Sequence, residues 1–272
     1  MLSELFLFAG LLAVCFGLRS IQHPLIFRLG HLGLVATTYL FGYRISGSHA
    51  WGSALATIWF LLPWIDILGR VRGTQLPASR TFAPQPAPSP RRFPKLEELT
   101  EEAEAAGFVQ VEDYGWNHED QRHSMRVLVL VEKRIQATIH FVESEDAEFF
   151  YVSLTSRRDD GELWTTWNYP FLLSLKPSPR WRLRTRSDAV NFQPLLEMHT
   201  SWIGSSPNQQ WSEVPVDSQK VLSQIEIESD ALVSHNLQCG VLTAAEGGMV
   251  RYTLRGCFFI WFQFLRDLVG VR

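Results

Sequence analysis

From Leu5 to Leu18 the chain reads LFLFAGLLAVCFGL, without a charge, and two further apolar runs follow, from about Leu25 to Tyr43 and from Trp51 to Leu68. About 20 such residues in a helix cross a hydrocarbon core, so residues 1–72 predict an N-terminal transmembrane bundle of about three helices. The turn Ile45-Ser46-Gly47-Ser48-His49 parts the second run from the third. Gly30, Gly33, Gly42, Gly52 and Ala56 supply small faces at which helix backbones approach closely. Arg19 and Arg28 flank the first connection, Arg44 stands alone in the second, and Arg70 with Arg72 follow the third run. By the positive-inside rule, the remainder of the chain then lies on the cytoplasmic side of a cell (inner) membrane that the bundle crosses as a multi-pass protein. Asp66 stands one turn before Arg70 and predicts an interfacial ion pair.

Residues 73–94 read GTQLPASRTFAPQPAPSPRRFP. Proline removes backbone donors and favours extended geometry, so this stretch predicts a semi-rigid spacer. From 95 to 255 polar and apolar positions alternate as they do in a folded domain. Leu96, Leu99, Ala103 and Ala106 recur at helical spacing, with Pro94 suited to the first turn and Gly107 to the end. Strand signals follow at Phe108 to Tyr114, Met125 to Glu132, Ile135 to Val142, Glu148 to Ser156 and Glu162 to Tyr169. The third is clearest, with Ile135, Ala137, Ile139 and Phe141 on one face and Gln136, Thr138 and His140 on the other, toward water. Connections this short leave no room for crossover helices and predict an antiparallel meander. Two helices, from roughly Phe192 to Ile203 and from Asp217 to Cys239, would both cover one face of it. The fold class expected is therefore a transmembrane helical bundle plus an α+β domain with an antiparallel meander sheet.

Residues 256–272 open with GCFFIWFQFLRDLVG, a run too short to span, with Gln263, Arg266 and Asp267 on one helical face. An amphipathic aromatic helix fits, and Phe258, Phe259, Trp261, Phe262, Phe264 and Leu265 are its candidate partner-docking residues.

Charge and cysteine usage narrow the classes. Formal net charge is -3, which argues against a surface built throughout to hold nucleic acid. Cys15, Cys239 and Cys257 are scattered and form no disulfide framework.

Candidate chemistry is sparse. His118, Glu119 and His123 are the ligands a metal would use in the polar stretch 116–123, but histidines five apart do not share a helical face and no ligand beyond this stretch is indicated. A polar connecting loop accounts for the stretch. Arg182, Arg184 and Arg186 alternate with Trp181, Leu183 and Thr185, so a strand would present three guanidinium groups on one face. Such a comb suits phosphates or anionic headgroups, and equally a charged edge strand that resists pairing. His235 and Cys239 are an i,i+4 pair at a helix C-terminus, where the dipole opposes a thiolate. His199 falls on an apolar stripe and reads as a core histidine. A helix-and-hairpin outline from Asp217 to Arg255 lacks the basic recognition helix of a winged DNA reader. No nucleophile elbow, phosphate loop or dinucleotide fingerprint occurs, and no cofactor is implied.

The function expected is a membrane-anchored, non-enzymatic accessory subunit that presents its α+β domain to a membrane protein complex, with the lipid bilayer and membrane proteins as partners and nucleic acid disfavoured. The alternatives are a membrane-tethered, hydrolase-like enzyme using the His118–His123 stretch or the His235 and Cys239 pair, and an anionic-headgroup or nucleic-acid binder using Arg182, Arg184 and Arg186.

Overall fold

The computed structural model describes residues 2–20, 24–118, 121–144, 148–206 and 210–269; the side chains at 2–5, 19, 24, 27–28, 60, 62–63, 66–67 and 267–269 are not included. The chain divides into two compact units, one of Met1–Thr74, Leu172–Ser174 and Arg251–Arg272, the other of Gln75–Phe171 and Leu175–Val250.

The first unit is helical. Helices α1 (Leu2–Arg19), α2 (Pro24–Ser46) and α3 (His49–Val71) pack in sequence. Small residues line the contacts between these helices. A Cβ added at Gly33 would sit 2.6 Å from Cys15 Sγ, and one at Gly52 would sit 2.8 Å from the Tyr39 carbonyl oxygen. At Gly52 the backbones of α2 and α3 approach so closely that a side chain has no room, whereas at Gly33 it is the Cys15 side chain that fills the space. Trp59 Nε1 donates to Thr38 Oγ1 at 2.6 Å, tying α3 to α2.

The transmembrane expectation is overturned: among the described residues no helix is long and apolar enough to cross a membrane. The physical reason lies in the interruptions. The α1 helix has only 18 residues. The other two break their apolar runs with Arg28, His31, Thr37, Thr38 and Arg44, and with Ser53, Thr57, Pro63, Asp66 and Arg70. A span needs about 20 predominantly apolar residues in succession. The multi-pass inner-membrane placement, and the cytoplasmic orientation drawn from flanking arginines, fall with it. Asp66 was expected to pair with Arg70, but its side chain lies outside those described.

The second unit begins inside the proline-rich stretch, which is stitched into the sheets through β1 (Gln75–Pro77) and β2 (Ala83–Pro84) rather than left as a free spacer. Helix α4 (Lys95–Ala105) follows, then β3 (Val109–His118), β4 (Gln121–Leu130), β5 (Ile135–Glu143), β6 (Glu148–Arg157), β7 (Leu163–Trp167) and β8 (Trp181–Thr185). Next come α5 (Phe192–Gly204), α6 (Ser218–Gln238), β9 (Leu242–Ala244), β10 (Met249–Tyr252) and α7 (Leu254–Val269). The last of these belongs to the helical unit.

A seven-stranded sheet runs in the order β2-β3-β4-β5-β6-β7-β8, and a three-stranded one in the order β1-β10-β9. The large sheet departs from the expected meander at its end, where β8 pairs parallel to β7. The connection 168–180 is long enough to return the chain to the starting end, which a hairpin turn cannot do.

One face of the sheet carries Leu128, Ile135, Ala137, Ile139, Val152 and Leu154 in a common apolar core with α4 and α5. Phe108 meets Phe192 edge to face at 5.2 Å within that core. On the opposite face Met125, Val127 and Tyr114 pack with Val221 of α6, so the two helices expected to cover one face take opposite ones, because the apolar positions of β3 and β4 at Tyr114, Met125 and Val127 leave a second face to be covered. Asp217 caps α6 by accepting from the Lys220 N–H at 2.9 Å. Beyond that apolar patch the same face is polar yet covered. Arg157 reaches Glu228 of α6 through a two-point contact at 2.6 and 3.0 Å, and Gln136, Thr138, Ser153 and Thr165 are buried.

Candidate functional site

The arginine comb lies where alternation puts it, with Arg182 and Arg184 on β8 and Arg186 just past its end. Strand β8 closes one side of the seven-stranded sheet, and no strand pairs with its far side among the described residues. Leu163 N–H donates to the Arg180 carbonyl at 2.8 Å, and Arg186 N–H donates to the Trp167 carbonyl at 2.9 Å. Backbone groups alternate along a strand, so the arginine positions bond inward to β7 while Leu183 turns its N–H and C=O outward.

Each guanidinium meets a different partner. Arg182 Nη2 lies 3.4 Å from Glu162 Oε1. Arg184 stacks over the Trp202 ring, 4.5 Å from its centroid, a cation–π contact. Arg186 donates to the Pro194 carbonyl at 3.2 Å and lies 3.8 Å from Asp188. Glu162 gathers this corner together, because its Oε2 accepts from Trp164 Nε1 at 3.1 Å and from Arg158 at 2.8 Å. The Trp164 hydrogen bond, then those from Arg158 and Arg182, hold the Glu162 carboxyl below its ordinary value. Trp164 in turn packs on Trp202 at 4.5 Å and meets Trp211 edge to face at 5.3 Å. The result is a cationic strand edge resting on an indole cluster.

The second polar constellation crosses the covered face. Trp116 Nε1 donates to His123 Nδ1 at 2.9 Å, His123 Nε2 lies 3.1 Å from His140 Nδ1, and His140 Nε2 lies 3.0 Å from Ser153 Oγ. The Trp116 donor fixes the His123 proton on Nε2, so His123 donates to His140 and His140 to Ser153. Burial pushes the His123 imidazole down to about 3, with Arg80 adding to the effect. Burial and then His123 push His140 well below its ordinary value. The neutral forms this hydrogen-bond chain needs are therefore the favoured ones. His140 was expected to meet water; instead its ring stacks on Tyr151 at 4.2 Å.

His118 and His123 stand on facing strands, not in a loop, and the cross-strand partner of His123 is Trp116. Glu119 lies outside the described residues. Among those described, no group of three or more His, Cys, Asp or Glu side chains is placed to hold a metal ion. His199 is fully buried, 3.1 Å from Ser156 Oγ and 3.0 Å from Thr166 Oγ1, and burial lowers it to about 4. Ser156 spends its proton on the Arg134 carbonyl, so His199 Nε2 donates to Ser156 and Nδ1 accepts from Thr166. The Cys239 thiol lies 3.4 Å from His235 Nε2 but donates to the His235 carbonyl at 2.8 Å, as a helix terminus dictates.

The candidate docking residues sit on α7, within the helical unit. Phe258 stacks on Trp64 at 4.2 Å and Trp261 meets the same indole at 5.8 Å. Phe259, Phe264 and Leu265 are half-buried, whereas Phe258 and Phe262 are exposed.

Sequence reasoning found the arginine alternation but missed Glu162, Trp164 and Trp202 as its supports, and missed the Trp116–His123–His140–Ser153 chain. Parity along the strands was the available signal for the chain, since Trp116 and His123 lie opposite each other on the face that carries His140. Comparison with family models, with curated proteins and with solved structures gave no match.

Proposed function

We propose that the chain is a non-enzymatic accessory module whose helical unit docks on an apolar helical surface of a partner protein. The observation that carries this reading is a stripe on α2. Leu25, Leu29, Leu32, Ala36 and Leu40 are all exposed and recur at i, i+4, i+7, i+11 and i+15, which places them along one helical face. An open groove runs beside the stripe, with Val35 and Tyr39 on one wall and Ser53, Ala56 and Thr57 on the other. Contiguous exposed apolar surface of this kind marks interaction sites, and a wall of small residues suits the close approach of another helix. The groove lining is uncharged, so the occupant it fits presents an uncharged helical face.

The test is tagged capture of the native protein followed by cross-linking and mass spectrometry. Replacing Leu29, Leu32 and Leu40 with Gln is expected to release a partner cross-linked to α2. A matched triple on the sheet unit, at exposed Val109, Val131 and Val216, keeps it. A chain that remains monomeric and unaccompanied, one that pairs only with a second copy of itself, or one that holds its partner equally in both triples would overturn the reading.

A further inference from the structure

The two sides of the seven-stranded sheet end differently. On one side β2 is two residues long and contains Pro84, a short, proline-bearing edge of the kind that blocks further pairing. On the other, β8 runs for five residues in unbroken register with β7 and contains neither proline nor glycine. Its outward backbone offers the Leu183 N–H and C=O, the Trp181 C=O and the Thr185 N–H; the Trp181 N–H is already taken by the Ser178 carbonyl at 2.9 Å.

The side chains flanking this edge are sorted by face. Arg182 and Arg184 project with Trp164 and Trp202, whereas Trp181 and Leu183 project with Trp167, whose ring lies 5.8 Å from that of Trp181. One face of the edge is cationic and the other apolar. Arg182 is 58% exposed at its side chain, and its contact with Glu162 is long at 3.4 Å.

We propose that β8 is a receptor edge for an extended peptide with alternating acidic and apolar residues, which adds to the sheet as a further strand. Ladder hydrogen bonds to Leu183 hold the backbone. Carboxylates on one face meet Arg182 and Arg184, and apolar side chains on the other pack beside Trp181 and Leu183. Strand addition at an open edge takes its affinity from main-chain bonds and its specificity from alternate side chains, and guanidinium groups bind carboxylates in two-point geometry. The arginines also answer why such an edge stays free in the meantime. Like charges repel a second copy of β8, so the residues that protect the edge from self-pairing select an acidic strand. The site lies wholly in the sheet unit and does not depend on helical docking.

The probe is a fluorescein-labelled alternating Glu–Val peptide of about seven residues, titrated against the full chain by anisotropy. Three companions accompany it: the same peptide N-methylated at alternate backbone positions, a Lys–Val peptide, and single-stranded oligouridine. The Glu–Val peptide is expected to bind, and N-methylation or charge reversal to weaken it about tenfold or more. The R182E/R184E double variant, its fold checked by far-UV circular dichroism, is expected to lose a similar factor. Should that variant fail to fold, the peptide comparison on the unaltered chain decides alone. The proposal is overturned if the parent peptide does not bind, if the N-methylated peptide or the RNA binds as tightly as the parent, or if the folded variant keeps full affinity.

Discussion

The helical unit and the sheet unit place their apolar side chains in opposite ways. In the first, Phe6, Leu29, Leu32, Ile45, Trp51 and Ile65 face outward, while Leu34 and Cys15 occupy the seam. In the second, Leu128, Ile135, Ile139, Leu154 and Leu195 are at most 1% exposed. Layering accounts for the contrast. A sheet with helices on both faces encloses every inward position of its central strands, whereas a helix in a small bundle turns only one stripe of its circumference to its neighbours. The rest of a leucine-rich helix stays outside whatever its composition. Apolar content therefore measures the capacity of a segment to be covered, and the structure decides how much of that capacity is used within the chain.

The contrast is most open to breakage in the core. Leu154→Ala removes a fully buried side chain from the sheet and is expected to cost about 3–4 kcal/mol in urea unfolding, the transfer loss plus the cavity left behind. Next comes Glu228→Ala. It strands the Arg157 guanidinium, 6% exposed at its side chain, without its carboxylate, and is expected to cost about 3 kcal/mol. The double replacement Arg157→Met with Glu228→Leu removes both charges and should recover most of that loss. If the single variant proved as stable as the parent, the tie between α6 and the polar part of the sheet would carry no weight.

Acid separates the two units further, since the sheet unit holds a fully buried histidine and the described His31 and His49 of the helical unit are not buried. His199 takes up a proton near its ordinary value of 6.5 when the chain is unfolded, and only at about 4 when folded. Between those values the unfolded state binds more protons. Stability is thus fully present above pH 6.5 and declines as pH falls toward 4, by up to about 1.4 kcal/mol per pH unit for this residue. His199→Gln is less stable at neutral pH and reduces that slope by the share of His199, leaving the share of His123 and His140, which burial also lowers; unfolding at several pH values measures this directly.

Much of the sheet unit was legible in the sequence because its signals are local. The period of two from Ile135 to Phe141 and the helical spacing from Leu96 to Ala103 each fix a buried face without reference to the rest of the chain. Residues 115–118 and 121–124 looked like a loop because they are polar. They are strand because cross-strand pairing satisfies them, and Trp116 donating to His123 is a contact that neither position announces alone. The parallel placement of β8 was hidden for a related reason, since the connection 168–180 carries no helix to signal a crossover. At the candidate site the alternation of arginines was readable, but Glu162 and Trp202 lie 20 and 18 positions from the arginines they meet. The helical runs misled because apolar letters were summed while polar interruptions were discounted.

The smallest stability effect is expected where the sequence looks most hydrophobic. Leu32 is 67% exposed, so Leu32→Gln gives up little buried area and is expected to change unfolding free energy by no more than about 0.5 kcal/mol. Leu34, two residues on and 1% exposed, is expected to cost about 2–4 kcal/mol when truncated to alanine. The ratio between these neighbours separates a surface kept apolar for a partner from a seam kept apolar for folding. In isolation Leu32→Gln improves solubility with no loss of helix, whereas in the presence of the partner it weakens the complex. A large destabilisation of the isolated chain by Leu32→Gln would mean that the stripe is covered from within, and the docking face would have to be sought on α7 at Phe258 and Phe262 instead.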